Sequence, residues 1–229
     1  MLNAEAMNTC TNAPMEALLG KISNGKRILS CPKGETIFAQ GGTASALYFI
    51  VSGTVKITVL SASGKEAILA VLGPQDFFGE ECIGAETLRI NTATSLTPVT
   101  LLRIERQAVL RAIQHQPELS VAFMSVLLMR KNAAEADFCD QLFNQSEKRL
   151  ARALLKLARI QKPNTPTDAP IPALSHETLS EMIGTTRARV THFMNKFRKM
   201  GLIDYHGDVN TNGRFIIRSK LLTERYMLN

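Results

Sequence analysis

The sequence lacks the long apolar segments that membrane and secreted proteins need. Of its 229 residues, 45% are apolar and 21% are charged, as in ordinary globular proteins. The longest apolar run, 121–129, contains Ser125 and is far shorter than the roughly 18–20 residues that span a bilayer. Residues 1–10 have neither a basic start nor an apolar stretch, so no signal peptide is predicted. We therefore expect a cytoplasmic protein without a membrane partner.

Metal-binding and catalytic motifs are scarce as well. The four cysteines, Cys10, Cys31, Cys82 and Cys139, are scattered, with no C-x-x-C pair and no metal-ligand spacing. We expect reduced thiols, no metal, and no iron–sulfur cluster, which needs four suitably placed thiolates. The sequence also has no H-E-x-x-H, no G-x-x-x-x-G-K-[ST] and no Ser/His/Asp order. No catalytic residue is therefore predicted.

Positive charge is distributed unevenly along the chain. The net charge of +7 arises from 27 Lys and Arg against 20 Asp and Glu. Residues 1–145 contain 12 basic and 13 acidic side chains, whereas residues 146–229 contain 15 basic and 7 acidic ones. Charge segregated in this way indicates a near-neutral module joined to one that meets a polyanion.

Residues 26–104 contain short strand-like segments separated by turn signals such as Gly41-Gly42 and Gly73-Pro74. The segments are rich in β-branched and aromatic residues and lie at 36–39, 46–51, 54–60, 66–72 and 100–104. Strands that recur about every 8–12 residues indicate an all-β roll, barrel or sandwich rather than alternating βα units.

A long helix is predicted over 117–143, because this stretch contains no glycine and no proline after its first residue. Two sets of residues recur at heptad spacing: Leu127, Ala134 and Gln141, and Met124, Lys131 and Phe138. The spacing is that of a coiled-coil seam, although Lys131 and Gln141 are unusual seam residues. Two interpretations stay open, a helix that pairs with a second copy and a core helix that packs on its own roll.

The C-terminal third has the pattern of a winged helix-turn-helix. Its predicted helices and strands are, in order, 147–160, 176–183, 187–200, 202–205 and 214–218. Ser146 and Ser175 can cap the first two helices, which a proline-rich loop separates. A Gly184-Thr-Thr turn leads into the third helix, which ends at Gly201. The two strands flank a polar loop that forms the wing.

The helix 187–200 concentrates positive charge. It contains six basic or titratable side chains and no acid, whereas a merely solvated helix mixes signs. The apolar residues expected in the core are Val190, Phe193, Met194 and Phe197. The front of a recognition helix meets base edges, and later cations meet phosphates. The predicted DNA contacts are Ser175, Thr185, Thr186, Arg187, Arg189, Thr191, His192, Lys196 and, in the wing, Arg214.

From about residue 14 to residue 222 the chain resembles the Crp/Fnr family of bacterial transcription regulators. The C-terminal motifs are Ser146-Glu-Lys-Arg-Leu-Ala-Arg-Ala-Leu-Leu, Leu179-Ser-Glu-Met-Ile-Gly-Thr-Thr-Arg-Ala-Arg-Val-Thr and Gly201-Leu-Ile. The N-terminal motifs are Pro32-Lys-Gly-Glu, Leu47-Tyr-Phe-Ile-Val-Ser-Gly-Thr-Val-Lys, Phe78-Gly-Glu, and Arg89 with the strand pair 93–104.

This resemblance implies an α+β fold with three parts. They are a jelly-roll-like antiparallel β-roll of cyclic-nucleotide-binding type (1–116), a dimerisation helix and hinge (117–145) and a winged helix-turn-helix (146–229). It also implies a homodimer on a palindromic operator of double-stranded DNA, with RNA polymerase as a further partner. The implied dimer interface comprises Phe123, Leu127, Lys131, Ala134 and Phe138. Ala188 follows Arg187 where the best-known members carry Glu, so we do not expect their half-site to carry over.

By the same resemblance the roll holds a ligand pocket, with Arg89 on a cyclic phosphate and Glu80 on a ribose hydroxyl. The implied pocket residues are Gly79, Glu80, Glu81, Arg89, Ile90, Asn91, Ala134 and Glu135. Ile90 and Asn91 depart from the small hydroxyl residue and alanine of cyclic-AMP responders. Three interpretations stay open: response to cyclic AMP, response to another small ligand, or a vestigial pocket in which Arg89 and Glu80 form an ion pair. The strand-like part of the roll, 26–104, has no histidine, so haem is not expected.

We therefore expect a dimeric, ligand-modulated, sequence-specific DNA-binding regulator that is not an enzyme. One alternative is a ligand-independent regulator of the same family. Another is a nucleotide-binding module that acts on a protein partner, although such a module does not need Arg187, Arg189 and His192 clustered beside a wing.

Overall fold

The computed structural model describes residues 19–20, 22, 24–84, 87–161, 170–172, 174–206 and 214–218. The chain divides into two compact units, residues 1–134 and 135–229. In the described residues the first unit is mainly β-structure and the second is mainly helical.

The first unit is built on two four-stranded antiparallel sheets. Its strands are β1 (Lys26–Cys31), β2 (Thr36–Phe38), β3 (Ala46–Ser52), β4 (Val55–Leu60), β5 (Glu66–Leu72), β6 (Phe77–Phe78), β7 (Thr92–Ser95) and β8 (Val99–Glu105). One sheet has the order β1-β8-β3-β6 and the other the order β2-β7-β4-β5. Because strands distant in sequence are neighbours, the sheets form a roll, and the predicted fold class is confirmed.

Strand β3 shows how the sequence builds the core of the roll. Successive side chains of a strand point to opposite faces. Leu47 and Phe49 therefore join one buried cluster, which the helices cover, while Tyr48 and Ile50 join a second cluster shared by the two sheets. Because β3 is an inner strand covered on both sides, residues of both parities are apolar and buried.

A 3-10 helix (Glu80–Ile83) follows β6, and the helices α1 (Arg106–His115) and α2 (Pro117–Phe143) follow β8. The long helix predicted over 117–143 is confirmed, and it begins with proline, whose missing N–H is not needed in the first turn. Val109 of α1 and Leu119 and Val126 of α2 are buried in the same cluster as Phe49. Among the described residues, no helix is both long and apolar enough to cross a bilayer.

Helix α2 carries apolar residues on two faces. Phe123 is only 7% exposed and stacks on Phe77, with 4.6 Å between ring centroids. The structure thus corrects the placement of Phe123 in a dimer interface, because this ring belongs to the core of its own chain. Leu127 also packs partly against that core. The second face is exposed, and its large apolar residues are Val121, Met124, Leu128, Phe138 and Leu142.

The second unit contains α3 (Ser146–Gln161), β9 (Pro170–Pro172), α4 (His176–Ile183), α5 (Arg187–Lys199), β10 (Ile203–His206) and β11 (Arg214–Ile217). The three strands form one antiparallel sheet of order β10-β11-β9. The three predicted helices and the hairpin are confirmed. The loop predicted before Ser175 is corrected at 170–172, where β9 tolerates two prolines because it is an edge strand.

Candidate functional site

Helix α5 starts at a turn that exposes its first residues. Thr186 is the N-cap, and its Oγ1 accepts a hydrogen bond from the backbone N of Arg189 at 3.4 Å. The first turn contains no acid, and the basic residues of the last turn are Lys196, Arg198 and Lys199. Cations near the C-terminus are favourable for the helix dipole, whereas the free N–H groups at the N-terminus attract anions.

Helix α5 buries one apolar face and exposes its basic side chains. The fully buried residues are Val190, Met194 and Phe197, as predicted. The exposed residues of the front half include Arg187, Arg189 and His192. Phe193, also expected in the core, is only half-buried, because its ring borders an open cleft. The burial pattern turns the cations of the first two turns toward solvent.

Thr191 is half-buried and connects α5 to α4. Its Oγ1 donates to the carbonyl oxygen of Arg187 at 3.0 Å and lies 2.8 Å from Nδ1 of His176. Burial, and secondarily the cation of Arg187, lower the pKa of His176 below its usual value. A hydrogen bond to the imidazole of His176 therefore ties Thr191 of α5 to α4.

Lys196 is exposed, but it is already paired. Its Nζ lies 2.8 Å from Oε2 of Glu147 on α3. Glu147 also borders a cleft of about 350 Å³, which is lined by Gln145, Ser146, Glu147, Arg149, Arg189 and Phe193. This pairing reduces the net charge that Lys196 can offer to a polyanion.

Arg149 is a positioning residue that the sequence analysis did not single out. Its Nε donates to the carbonyl oxygen of Ile183 at 3.0 Å and its Nη1 to that of Asn144 at 2.9 Å. The first of these carbonyls is at the end of α4, where a helix leaves acceptors unpaired. Arg149 therefore fixes the turn that leads into α5. The only sequence signal was its position in the motif that starts at Ser146.

The remaining predicted DNA contacts lie at the ends of α4 and in the wing. Ser175 is exposed and caps α4, since its Oγ accepts from the backbone N of Thr178 at 3.0 Å. Thr185 follows Gly184, whose φ of 62° permits the tight turn. Arg214 begins β11, but its side chain and the wing tip, 207–213, lie outside the described residues.

In the roll, Arg89 is an enclosed cation rather than an open ligand group. It is 2% exposed, and its Nη1 donates to the carbonyl oxygen of Gly79 at 3.0 Å. The counter-ion is Glu81, whose Oε1 lies 3.1 Å from Nη1. The expectation that Arg89 pairs with Glu80 in a vestigial pocket is therefore wrong, because its partner is Glu81. A Cβ on Gly79 would lie 2.7 Å from Nη1 of Arg89, so this position requires glycine.

Glu80 is held by α2 instead. Its Oε1 lies 3.1 Å from Nη1 of Arg130, whose guanidinium also stacks over the ring of Phe77 at 4.3 Å from the centroid. Asp76 lies 3.7 Å from the same guanidinium. Burial raises the pKa of Asp76, while a hydrogen bond from the Gly73 backbone and the charge of Arg130 oppose that rise.

The other implied pocket residues are more exposed than Arg89. Ile90 is 61% exposed and Asn91 is half-buried. Ala134 and Glu135 lie in the exposed stretch 131–139 of α2.

Burial raises the pKa of the Cys82 thiol to about 11, so this cysteine is protonated at neutral pH. The described residues contain no group of three or more His, Cys, Asp or Glu that could hold a metal ion.

An antiparallel β-roll joined through a long helix to a helix-turn-helix and a small sheet is the architecture of a DNA-binding transcription regulator. Residues 28–116 match the family described as the cyclic nucleotide-binding domain, and residues 148–218 match the Crp-like helix-turn-helix domain. The chain belongs to the Crp/Fnr family of transcription regulators.

Three similar proteins illustrate this relationship. Over 179 residues the chain is 32% identical to the CRP-like cAMP-activated global transcriptional regulator of Mycobacterium tuberculosis, covering 77% of this chain and 79% of that protein. Over 172 residues it is 30% identical to the cyclic AMP receptor protein of Thermus thermophilus, covering 75% and 77%. The structure of the c-di-GMP-responsive global regulator CLP of Xanthomonas campestris has a similar fold, with a TM-score of 0.71, 19% identity, and coverage of 89% and 99%.

Proposed function

We propose that the chain acts as a homodimer and that α5 enters the major groove of a palindromic operator. The observation that carries this proposal is the cationic front of α5, where Arg187, Arg189 and His192 are exposed while Val190, Met194 and Phe197 are buried. An arginine fork donates two hydrogen bonds to O6 and N7 of guanine. Arg187 and Arg189 therefore read base edges, while Thr186 and the later cations contact phosphates.

The exposed face of α2 supports pairing with a second copy. Val121, Met124 and Leu128 follow one another at intervals of three and four residues and are 54–67% exposed. Phe138 and Leu142 continue the exposed apolar residues toward the end of the helix. Large apolar side chains at this spacing are typical of a two-stranded coiled coil.

We also propose that the three predicted parts, 1–116, 117–145 and 146–229, act as sensor, dimerisation helix with hinge, and DNA-binding domain. A small ligand in the roll modulates DNA binding, and a cyclic nucleotide is one candidate because two relatives are named for cyclic AMP. RNA polymerase is the partner that the bound dimer meets at a promoter. A ligand-independent regulator is the second candidate, favoured by the enclosure of Arg89.

The test is binding of the full chain to a duplex from its own promoter region, measured by fluorescence anisotropy. We expect Arg187→Ala and Arg189→Ala each to weaken operator binding by about 1–3 kcal/mol and to affect an unrelated duplex much less. Lys65→Ala, which removes one cation from the exposed turn after β4, is the matched control. Unchanged operator affinity in both arginine variants would refute the role of α5.

A further inference from the structure

Arg89 is a buried cation whose contacts are supplied by the chain itself. Its Nη2 donates to the carbonyl oxygen of Ala46 at 2.6 Å, and its Nη1 donates to that of Gly79 at 3.0 Å. The guanidinium carbon lies 4.1 Å from the centroid of the Phe38 ring. Glu81 provides the negative charge at 3.1 Å. The ring of Tyr48 lies on the same guanidinium at 5.7 Å, so two carbonyls, two aromatic rings and one carboxylate surround it.

The carboxylate of Glu81 occupies the kind of position that an oxyanion takes on arginine. Carboxylates and phosphates bind the guanidinium fork through the same N–H donors. The Glu81 side chain is 9% exposed, and its Oε1 has the ion pair with Arg89 but no hydrogen bond. Because Glu81 lies against Nη1, an anion from solution can pair with this nitrogen only if the carboxylate leaves, and a buried carboxylate without its cation is unfavourable.

The neighbouring acid cannot take over this role. Glu80 is directed to Arg130 of α2, with 3.1 Å between Oε1 and Nη1, and the same arginine also donates to the carbonyl oxygen of Phe77. Both residues that the family resemblance assigns to a nucleotide are therefore engaged by other groups of the chain: Arg89 by Glu81, and Glu80 by Arg130.

We propose that Glu81 is a built-in anion that determines ligand specificity by occupying Arg89, so that the roll binds cyclic phosphates and other small oxyanions weakly. This inference deepens, and rests on, the proposed role of the roll as a ligand sensor. It does not depend on DNA binding, and the two can be tested separately.

The experiment measures binding of cyclic AMP to the full chain by calorimetry, and thermal unfolding with and without millimolar inorganic phosphate. Glu81→Gln removes the charge with little change of shape, and Glu81→Ala removes the whole carboxylate. Glu66→Ala is the matched control, since Glu66 lies on β5 and pairs with Lys56. The double variant Glu81→Ala with Arg89→Ala tests whether the guanidinium is the binding group.

We expect the wild type and the Glu66 variant to bind cyclic AMP at least about tenfold more weakly than Glu81→Gln. Phosphate should raise the unfolding temperature of Glu81→Gln but not of the wild type, because only a ligand of the folded state stabilises it. The double variant should lose both the higher affinity for cyclic AMP and the stabilisation by phosphate. Equal affinities of a folded Glu81→Gln and the wild type, or a gain that survives without Arg89, would overturn the proposal. If Glu81→Gln gains affinity for cyclic AMP but the chain fails to bind DNA, the proposed function is refuted and this inference stands.

Discussion

The imidazole of His176, which contacts Thr191 of α5, favours its neutral form, because its pKa is lowered first by burial and then by the cation of Arg187. An unfolded histidine takes up its proton near pH 6.5. Between that pH and the lower folded pKa, the unfolded chain binds more protons than the folded one. The stability that neutral His176 contributes is therefore present above about pH 6.5 and is lost as the pH falls.

NMR titration of the His176 ring gives a direct test. We expect a pKa below 6.5 in the wild type and a higher value in Arg187→Ala, because this variant removes one of the two causes. Since burial remains, the shift should be reversed only in part. Lys199→Ala, which changes an exposed cation at the other end of α5, should leave the titration unchanged. A wild-type pKa at or above 6.5 would contradict the described environment.

The charged residues of the roll show which contacts the sequence could not predict. The motif Phe78-Gly-Glu and Arg89 placed an acid and a cation near one another, but two acids, Glu80 and Glu81, stand in succession. Gly79 has a left-handed φ of 80° and starts a 3-10 helix, which sends the two side chains in different directions. The partner of each acid depends on where α2 delivers Arg130, which is a tertiary contact without a local signal.

At the scale of elements, periodicity predicted well which helices and strands exist. It predicted less well which face of a helix packs against the core. The predicted helices at 117–143 and 176–183 have the observed bounds, because proline, serine and glycine signals mark their ends. The heptad pattern in α2 was assigned to Leu127, whereas Leu128 is exposed and Leu127 packs on the roll. A helix with two apolar faces produces both patterns, and spacing alone does not tell which face its own core covers.

The exposed face of α2 therefore makes a prediction about assembly. Leu128→Glu places a charge at an apolar seam position, and in a dimer each glutamate faces its copy. We expect the dimer dissociation constant to rise at least about tenfold, or about 1.4 kcal/mol, in sedimentation equilibrium. Leu69→Glu is the matched control, since Leu69 on β5 is 58% exposed and Leu128 is 54% exposed. Equal sedimentation of the two variants would exclude this face as the interface.

For the whole molecule, positive charge is concentrated in the part of the chain that contains the helix-turn-helix. Residues 146–229 carry eight more basic than acidic side chains, whereas residues 1–145 carry one more acidic than basic. The cations of α5 are arranged at its exposed front and its last turn, with Lys196 balanced by Glu147. Binding to DNA releases counterions in proportion to the number of phosphates neutralised, so the electrostatic share of affinity follows the salt concentration.

We therefore expect the operator affinity of the full chain to fall linearly on a plot of log affinity against log salt. For about 6–10 phosphate contacts per dimer, the loss between 50 and 200 mM salt is on the order of 10³–10⁵. Lys196→Ala should lower the slope by roughly one for each protomer if its ammonium leaves Glu147 for a phosphate. If the ion pair at 2.8 Å persists on DNA, the slope stays unchanged and the phosphate contact assigned to Lys196 is wrong. The control is Lys65→Ala, in the near-neutral part of the chain, which should leave the salt slope and the operator affinity unchanged. Operator binding by the wild type that does not depend on salt would contradict recognition by these cations.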